Sequence, residues 1–142
     1  MRLKYFILAL VLCGCAGMPA QEQASRPFDD SGVIDSRDRL EAVGIGAPNP
    51  ILPSETQRKA TAREAALIKA RYELSSAVRA LVLKSGITLG AAIEVDPSLE
   101  DRIKQAIADT KIHSEFTPDD GCIVKLRLSK SKLAEYLGVR FK

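Results

Sequence analysis

Residues 54–86 read SETQRKATAREAALIKARYELSSAVRALVLKSG, and this stretch decides the fold. No Pro or Gly interrupts it before Gly86, which supplies a stop signal. Ser54 and Gln57 have the spacing of a capping box at its start. Apolar residues recur at alternating spacings of three and four: Leu67, Ala70, Leu74, Ala77 and Leu81. The pattern predicts a single amphipathic helix of about thirty residues.

The apolar stripe of this helix changes in size along its length. It is rich in Ala near the start and carries Leu near the end, so its first half permits close packing against another element. The preceding residues 40–46, LEAVGIG, predict a short strand, and Gly44 and Gly46 leave bare backbone on one of its faces. We expect the helix to pack on that face. A coiled-coil dimer is the alternative use of the stripe, although the repeat covers only three heptads.

The remaining pattern adds three strands and two helices. Ile87–Val95 alternates as a strand does, and Asp96-Pro97 introduces a helix with Leu99, Ile103 and Ile107 on its apolar edge. Residues 112–116 and 122–128 flank the turn Pro118–Gly121 as a hairpin, and a last short helix buries Leu133 and Leu137. The expected order is β-α-β-α-β-β-α. It describes an α+β domain over residues 39–142, with the helices on one face of a largely antiparallel sheet.

The N-terminus carries a targeting signal. Arg2 and Lys4 precede the apolar run Tyr5–Leu12, which covers about 12 Å as a helix and is too short to span a bilayer. The run ends in Leu12-Cys13-Gly14-Cys15, which resembles the bacterial lipobox. Gly14 suits the position before the cleaved bond and Leu12 does not. Residues 1–14 are therefore predicted to be a lipoprotein signal peptide, and Cys15 the site of lipid attachment.

Residues 15–38 are predicted to be the lipidated Cys and a flexible tether, because they are rich in Ala, Gln, Pro, Ser and Asp without a period. Phe28 and the pair Val33-Ile34 are its scattered apolar residues, and docking of these on the domain or on a partner stays open. Ala16 and Gly17 follow the modified Cys. By resemblance to the usual lipoprotein sorting pattern, they favour the outer membrane.

Composition argues against several classes of function. The chain has 142 residues and a formal net charge of +3, to which the signal peptide contributes Arg2 and Lys4. The rest is close to neutral, which does not fit a nucleic-acid binder. The motifs of the sequence predict no catalytic residues, no cofactor and no metal site. His113 is the single imidazole and is expected to face solvent or a sheet edge, and Cys122 is expected to be a buried apolar residue.

Two charged groups have alternative interpretations. Asp119-Asp120 fits a polar turn better than a weak cation site. A basic patch around the final strand and helix is either a solvated face or a contact for anionic lipid headgroups. Its members are Lys125, Arg127, Lys130 and Lys132.

The segment Ala42–Ala47, the Ala-rich helix after it and the ending Ile123–Leu128 resemble the Lpp-twenty family of small bacterial outer-membrane lipoproteins. The likeness covers about residues 39–137, and its motifs are Gly-x-Gly and an Ala-rich helix. In size and layout it is greatest to a flagellar lipoprotein of that family. The resemblance implies a structural subunit that assembles into rings or disks around the flagellar motor, and the family has no catalytic residues to transfer.

From the signal and the resemblance together we expect a non-enzymatic lipoprotein, anchored in the outer membrane with its domain in the periplasm. It is expected to form homo-oligomers and to contact flagellar motor proteins. The alternative is a binding module for lipid, peptidoglycan or another envelope protein.

Overall fold

The computed structural model describes residues 32–142. The predicted signal peptide, Cys15 and most of the predicted tether lie outside the described residues. Four strands and four helices follow one another along the chain: β1 (Gly32–Asp35), β2 (Arg39–Gly46), α1 (Glu55–Ala80), α2 (Leu89–Val95), α3 (Ser98–Ala108), β3 (Lys111–Phe116), β4 (Cys122–Ser129) and α4 (Lys130–Leu137). The strands form one antiparallel sheet in the order β1-β2-β4-β3. The predicted α+β class is confirmed.

The sheet has one covered face and one open face. Leu40, Ala42, Val124 and Leu126 alternate along β2 and β4 and are buried under α1. The residues between them, such as Glu41 and Arg127, belong to the other face. Strand alternation therefore produces one apolar layer, which the helices cover.

Two glycines allow α1 to lie directly on β2. A Cβ atom added at Gly44 would stand 2.0 Å from the carbonyl oxygen of Ala66, and one at Gly46 would stand 1.9 Å from that of Ala62. Real Cβ atoms do not approach backbone this closely, so only Gly fits at either position. The predicted packing of the Ala-rich half of the helix on the glycine face is confirmed. The buried stripe is used within the chain, and the coiled-coil alternative for that stripe is wrong.

The ends of α1 differ from the prediction. Ser54 is the N-cap residue, but its side chain makes no capping hydrogen bond, so the expected capping box is not formed. The helix ends at Ala80 because the next residues pair with other segments: Val82 bridges Thr88, and Leu83 bridges Phe141. Gly86 does not end the helix itself. It lies in the turn that follows the helix, where its φ angle is +88°.

The predicted strand Ile87–Val95 is wrong, since Leu89–Val95 forms α2. Thr88 caps this helix by accepting a hydrogen bond from the amide of Ala91. Leu89 is buried and Ile93 is half-buried, four residues further on the same side, whereas Val95 is 86% exposed. The apolar residues of this segment are two apart, as in a strand, but Leu89 and Ile93 are also four apart, as on one side of a helix. The N-cap hydrogen bond to Thr88 favours the helix.

Residues 32–35 correct the predicted domain boundary at residue 39. They form β1, which pairs with β2 from Gly32 opposite Val43 to Asp35 opposite Leu40. Val33 packs against the core, so the alternative in which it docks on the domain is the observed one. The order of the described elements is therefore β-β-α-α-α-β-β-α. Among residues 32–142 no helix is long and apolar enough to cross a membrane.

Candidate functional site

The most exposed strand of the sheet is β3, which lies at one edge. Its only neighbour among the described strands is β4. Five of its six residues are exposed. The sequence correctly predicts the β3–β4 hairpin, but the position of β4 in the interior of the sheet is a finding of the structure. An uncovered edge presents backbone donors and acceptors that another strand can pair with.

The two faces of β3 differ in chemistry. Ile112 is 39% exposed and Phe116 is 45% exposed. Both are register partners of buried β4 residues and so lie on the helix side of the sheet. Lys111, His113 and Glu115 alternate with them on the open face. The edge is thus apolar on one side and polar or charged on the other.

A groove of about 1000 Å³ runs beside this edge, between β3, the end of α3 and α4. Ile112, Leu133 and Tyr136 contribute to its apolar lining. Tyr136 is held in place by Arg102, whose guanidinium lies 5.9 Å from the centre of its ring and donates a hydrogen bond to its backbone carbonyl. We call this feature, with the adjoining edge of Lys111–Phe116, the β3 groove.

Cations line the same groove. Lys111 lies opposite Arg127 and His113 lies opposite Lys125 in the strand register, and all four border the groove together with Lys132. Asp109 and Glu135 are the acidic residues that also border it. The prediction that His113 faces solvent at a sheet edge is confirmed, since it is exposed on β3.

The predicted basic patch is divided by ion pairs. Arg127 donates to Glu41 at 2.7 Å, and Lys130 lies 2.5 Å from Asp35. Within residues 32–142, Lys125 and Lys132 have no ion-pair partner. Both border the β3 groove, whereas Lys130 faces a second groove near the C-terminus. Two of the four cations are therefore internally neutralised, and two remain for a ligand or partner.

Asp119 and Asp120 form the expected turn, and Asp120 also has a structural role. Its carboxylate accepts from Arg58 of α1 at 2.8 Å, and Lys59 lies 3.8 Å from it. The φ angle of Asp120 is +64°, a left-handed conformation that Asp tolerates better than most residues. In the part of the chain that the structure describes, no group of three or more His, Cys, Asp or Glu side chains could hold a metal ion.

Cys122 is fully buried at the start of β4. Burial raises the pKa of its thiol, and the positive charge of Arg63 and a backbone hydrogen bond at Glu115 oppose that rise only in part. A thiol with a raised pKa forms little of the nucleophilic thiolate at neutral pH. The structure therefore agrees with the interpretation of Cys122 as a packing residue.

Searches against family models, curated proteins and solved structures found no match to this chain. The resemblance drawn from the sequence is thus a hypothesis, and the function has to be argued from the β3 groove. The sequence did not predict this groove. The only signal in it was the pair Ile112 and Phe116, two large apolar residues on a strand otherwise made of polar residues.

Proposed function

We propose that this protein is a non-enzymatic, lipid-anchored structural subunit of the bacterial outer membrane that works by self-association. The observation that carries the proposal is the edge of β3, which no other strand within residues 32–142 covers. Addition of a strand to such an edge supplies backbone hydrogen bonds, and a bordering groove supplies side-chain contacts. The β3 groove offers both.

The occupant that we propose is β1 of a neighbouring copy together with the residues directly before it. Residues 28–35, FDDSGVID, carry no basic residue and three aspartates, of which Asp35 is already paired with Lys130. The β3 groove carries Lys111, Lys125 and Lys132, so the two segments have opposite charge. Like β3, β1 has a single neighbour among the described strands.

The geometry of this contact determines the kind of assembly. A contact between β3 of one copy and β1 of the next joins two different surfaces, which makes it heterologous. Heterologous contacts repeat from copy to copy and close into rings when the rotation allows it. A ring or disk at the flagellar motor, as the family resemblance implies, would be built in this way.

The predicted lipid anchor at Cys15 supports the proposal physically. Several acyl chains hold a protein on a membrane for long times, and anchored copies meet in two dimensions. The effective concentration of one copy near another then rises, and contacts that are weak in solution become more populated.

The test is deletion of the gene, followed by swimming assays and electron cryotomography of the envelope. We expect impaired swimming and loss of a periplasmic ring or disk, both restored by the parent gene. Ile112→Lys, which places a charge on the β3 edge, should fail to restore them. Val95→Lys should restore both, because it changes a residue that is 86% exposed on α2, outside the groove. Normal swimming with intact rings in the deletion strain would contradict the flagellar role.

A second candidate function rests on a different surface. The groove near the C-terminus, about 590 Å³ in volume, is bordered by Arg37, Lys84, Arg140 and Lys142, and its only carboxylate side chain, Asp35, is paired with Lys130. Such a surface suits the phosphates of anionic lipids. Co-sedimentation of the protein with vesicles containing phosphatidylglycerol, lost when Lys84 and Arg140 are changed to Gln, would favour the binding module.

A further inference from the structure

Helix α1 has a second apolar stripe on the side that faces away from the sheet. Its sheet-facing residues include Ala66, Ala70 and Leu74, which are fully buried. On the opposite side, Ile68 and Tyr72 are 61% and 71% exposed. Two exposed large apolar residues one turn apart are unusual on the outer face of a helix that already buries another stripe.

This stripe has heptad spacing. Thr61, Ala65, Ile68 and Tyr72 follow one another at intervals of four, three and four residues, which is the d-a-d-a pattern of a helix that pairs with another helix. All four are exposed. We call these four residues the outer stripe.

Two opposite charges flank the outer stripe on one side. Glu64 and Arg71 are seven residues apart and occupy equivalent heptad positions, each directly before a stripe residue. Both are exposed, and within residues 32–142 neither has an ion-pair partner. Charges at these positions set the orientation of paired helices.

We infer that the outer stripe of α1 packs against the outer stripe of a second copy, with the two helices antiparallel. This inference deepens the proposed self-association by adding a contact distinct from the β3 groove. A two-fold axis between residues 66 and 67 places Ile68 over Ala65 of the second copy and Tyr72 over Thr61 of the second copy. Glu64 then lies beside Arg71 of the second copy, and the symmetry forms this ion pair twice.

Charge distinguishes this arrangement from its alternatives. A shift by one heptad, with the helices still antiparallel, brings Arg71 against Arg71 of the second copy. A parallel arrangement places Glu64 near Lys69 of the second copy, but Lys69 already interacts with another group of its own chain, and Arg71 is left without an acid. Only the proposed register pairs both flanking charges.

The size of the contact agrees with a role on a membrane. The outer stripe offers four residues from each copy, against roughly 20–30 residues a side in a stable standard-size interface, so we expect weak association in free solution. Anchored copies have a higher local concentration. The contact is therefore expected between lipid-anchored copies.

The experiment uses the full chain with its own N-terminus, produced in a bacterium with an outer membrane. A Glu64→Cys/Arg71→Cys double variant should form a disulfide-linked dimer in the oxidising periplasm. Each single variant and the parent should not, because in this register residue 64 lies about 7.5 Å along the axis from its own counterpart and residue 71 lies about 13.5 Å from its own. The two cysteines of one chain lie about 10 Å apart along the helix and cannot bridge.

A charge-reversal series provides the second measurement. Glu64→Arg alone should lower the yield of dimer trapped by an amine-reactive cross-linker about fivefold, and the combined swap Glu64→Arg/Arg71→Glu should restore it. Glu94→Arg on α2 is the matched control, since it makes the same change at an exposed residue away from the outer stripe.

The inference is overturned if the double-cysteine variant, present at the parent's level, gives no dimer. It is also overturned if a single variant links as efficiently, or if the double variant links only to a different protein. Failure of the proposed function is distinguishable, because it is measured with Ile112→Lys at the β3 edge. If Ile112→Lys abolishes the assemblies but residues 64 and 71 do not become linked, the proposed function stands and only this inference is removed.

Discussion

Arg58 in the first turn of α1 holds Asp120 in the turn between β3 and β4, 62 residues later. The Arg58 Nε donates to the Asp120 Oδ2 at 2.9 Å, and Nη2 lies 2.8 Å from the same oxygen. The Arg58 Nη1 also donates to the carbonyl oxygen of Leu52 at 3.2 Å. One guanidinium thus links the start of α1 to the loop before it and to the turn between β3 and β4.

We expect Arg58→Ala and Asp120→Asn each to lower the free energy of unfolding by about 1 kcal/mol, because the pair is partly exposed and its charges are screened by solvent. The loss in the double variant should be smaller than the sum of the single losses, since both remove the same interaction. Urea unfolding measures these values. Asp119→Asn in the same turn is the matched control, and an equal loss there would contradict a specific role for Asp120.

The glycine contact gives a sharper prediction of stability. Gly44→Ala places a Cβ atom against the backbone of α1, which cannot move without separating helix and sheet, so we expect a loss of about 3 kcal/mol or no stable fold. Gly32→Ala adds the same methyl group where no atom lies within 4 Å. It should change stability by less than about 0.5 kcal/mol. Equal unfolding midpoints for the two variants would contradict the close approach of α1.

These tests concern the part of the fold that the sequence predicts well. The spacing of Leu67, Ala70 and Leu74 predicts the long helix and its buried side, and Gly44 and Gly46 predict the face on which it lies. Both signals are strong because each depends only on local features of the sequence: the spacing of apolar residues along a helix, and the missing side chains of two glycines in one strand. The β3–β4 hairpin and α4 are predicted for the same reason.

Other elements could not be predicted from local pattern. Leu89 and Ile93 satisfy helix and strand spacing together, and the structure forms the helix, which the hydrogen bond from the amide of Ala91 to Thr88 caps. The pairing of β2 with β4 joins residues about 80 positions apart, which no local spacing encodes. The β3 groove follows from that pairing and from the packing of α3 and α4 beside β3, so its residues are scattered along the sequence.

Cys122 should react slowly with thiol reagents in the folded state. Burial shields its sulfur and raises its pKa, so at pH 8 we expect its reaction with DTNB to be at least about 100-fold slower than that of an exposed cysteine, and fast in urea. The measurement uses the chain without residues 1–15, in which Cys122 is the only cysteine. The reference is the cysteine of an Ile51→Cys variant, since Ile51 is 87% exposed. Equal rates in the folded protein would contradict the buried position.

The predicted lipid anchor at Cys15 is tested by two neighbouring substitutions. Cys15→Ser should abolish incorporation of labelled palmitate, because it removes the sulfur that receives the lipid. Cys13→Ser should leave incorporation intact, because that residue is removed with the signal peptide. The opposite pattern would move the lipid attachment to Cys13 and shift the predicted cleavage site.

The central claim is self-association through the β3 edge, and static light scattering of the chain without residues 1–15, over a range of concentrations, tests it most directly. We predict that the average mass of the parent rises with concentration beyond that of a dimer. Ile112→Lys should form nothing larger than a dimer, whereas Val95→Lys should behave like the parent. A parent that stays monomeric at every concentration, or an Ile112→Lys variant that assembles as the parent does, would contradict the account.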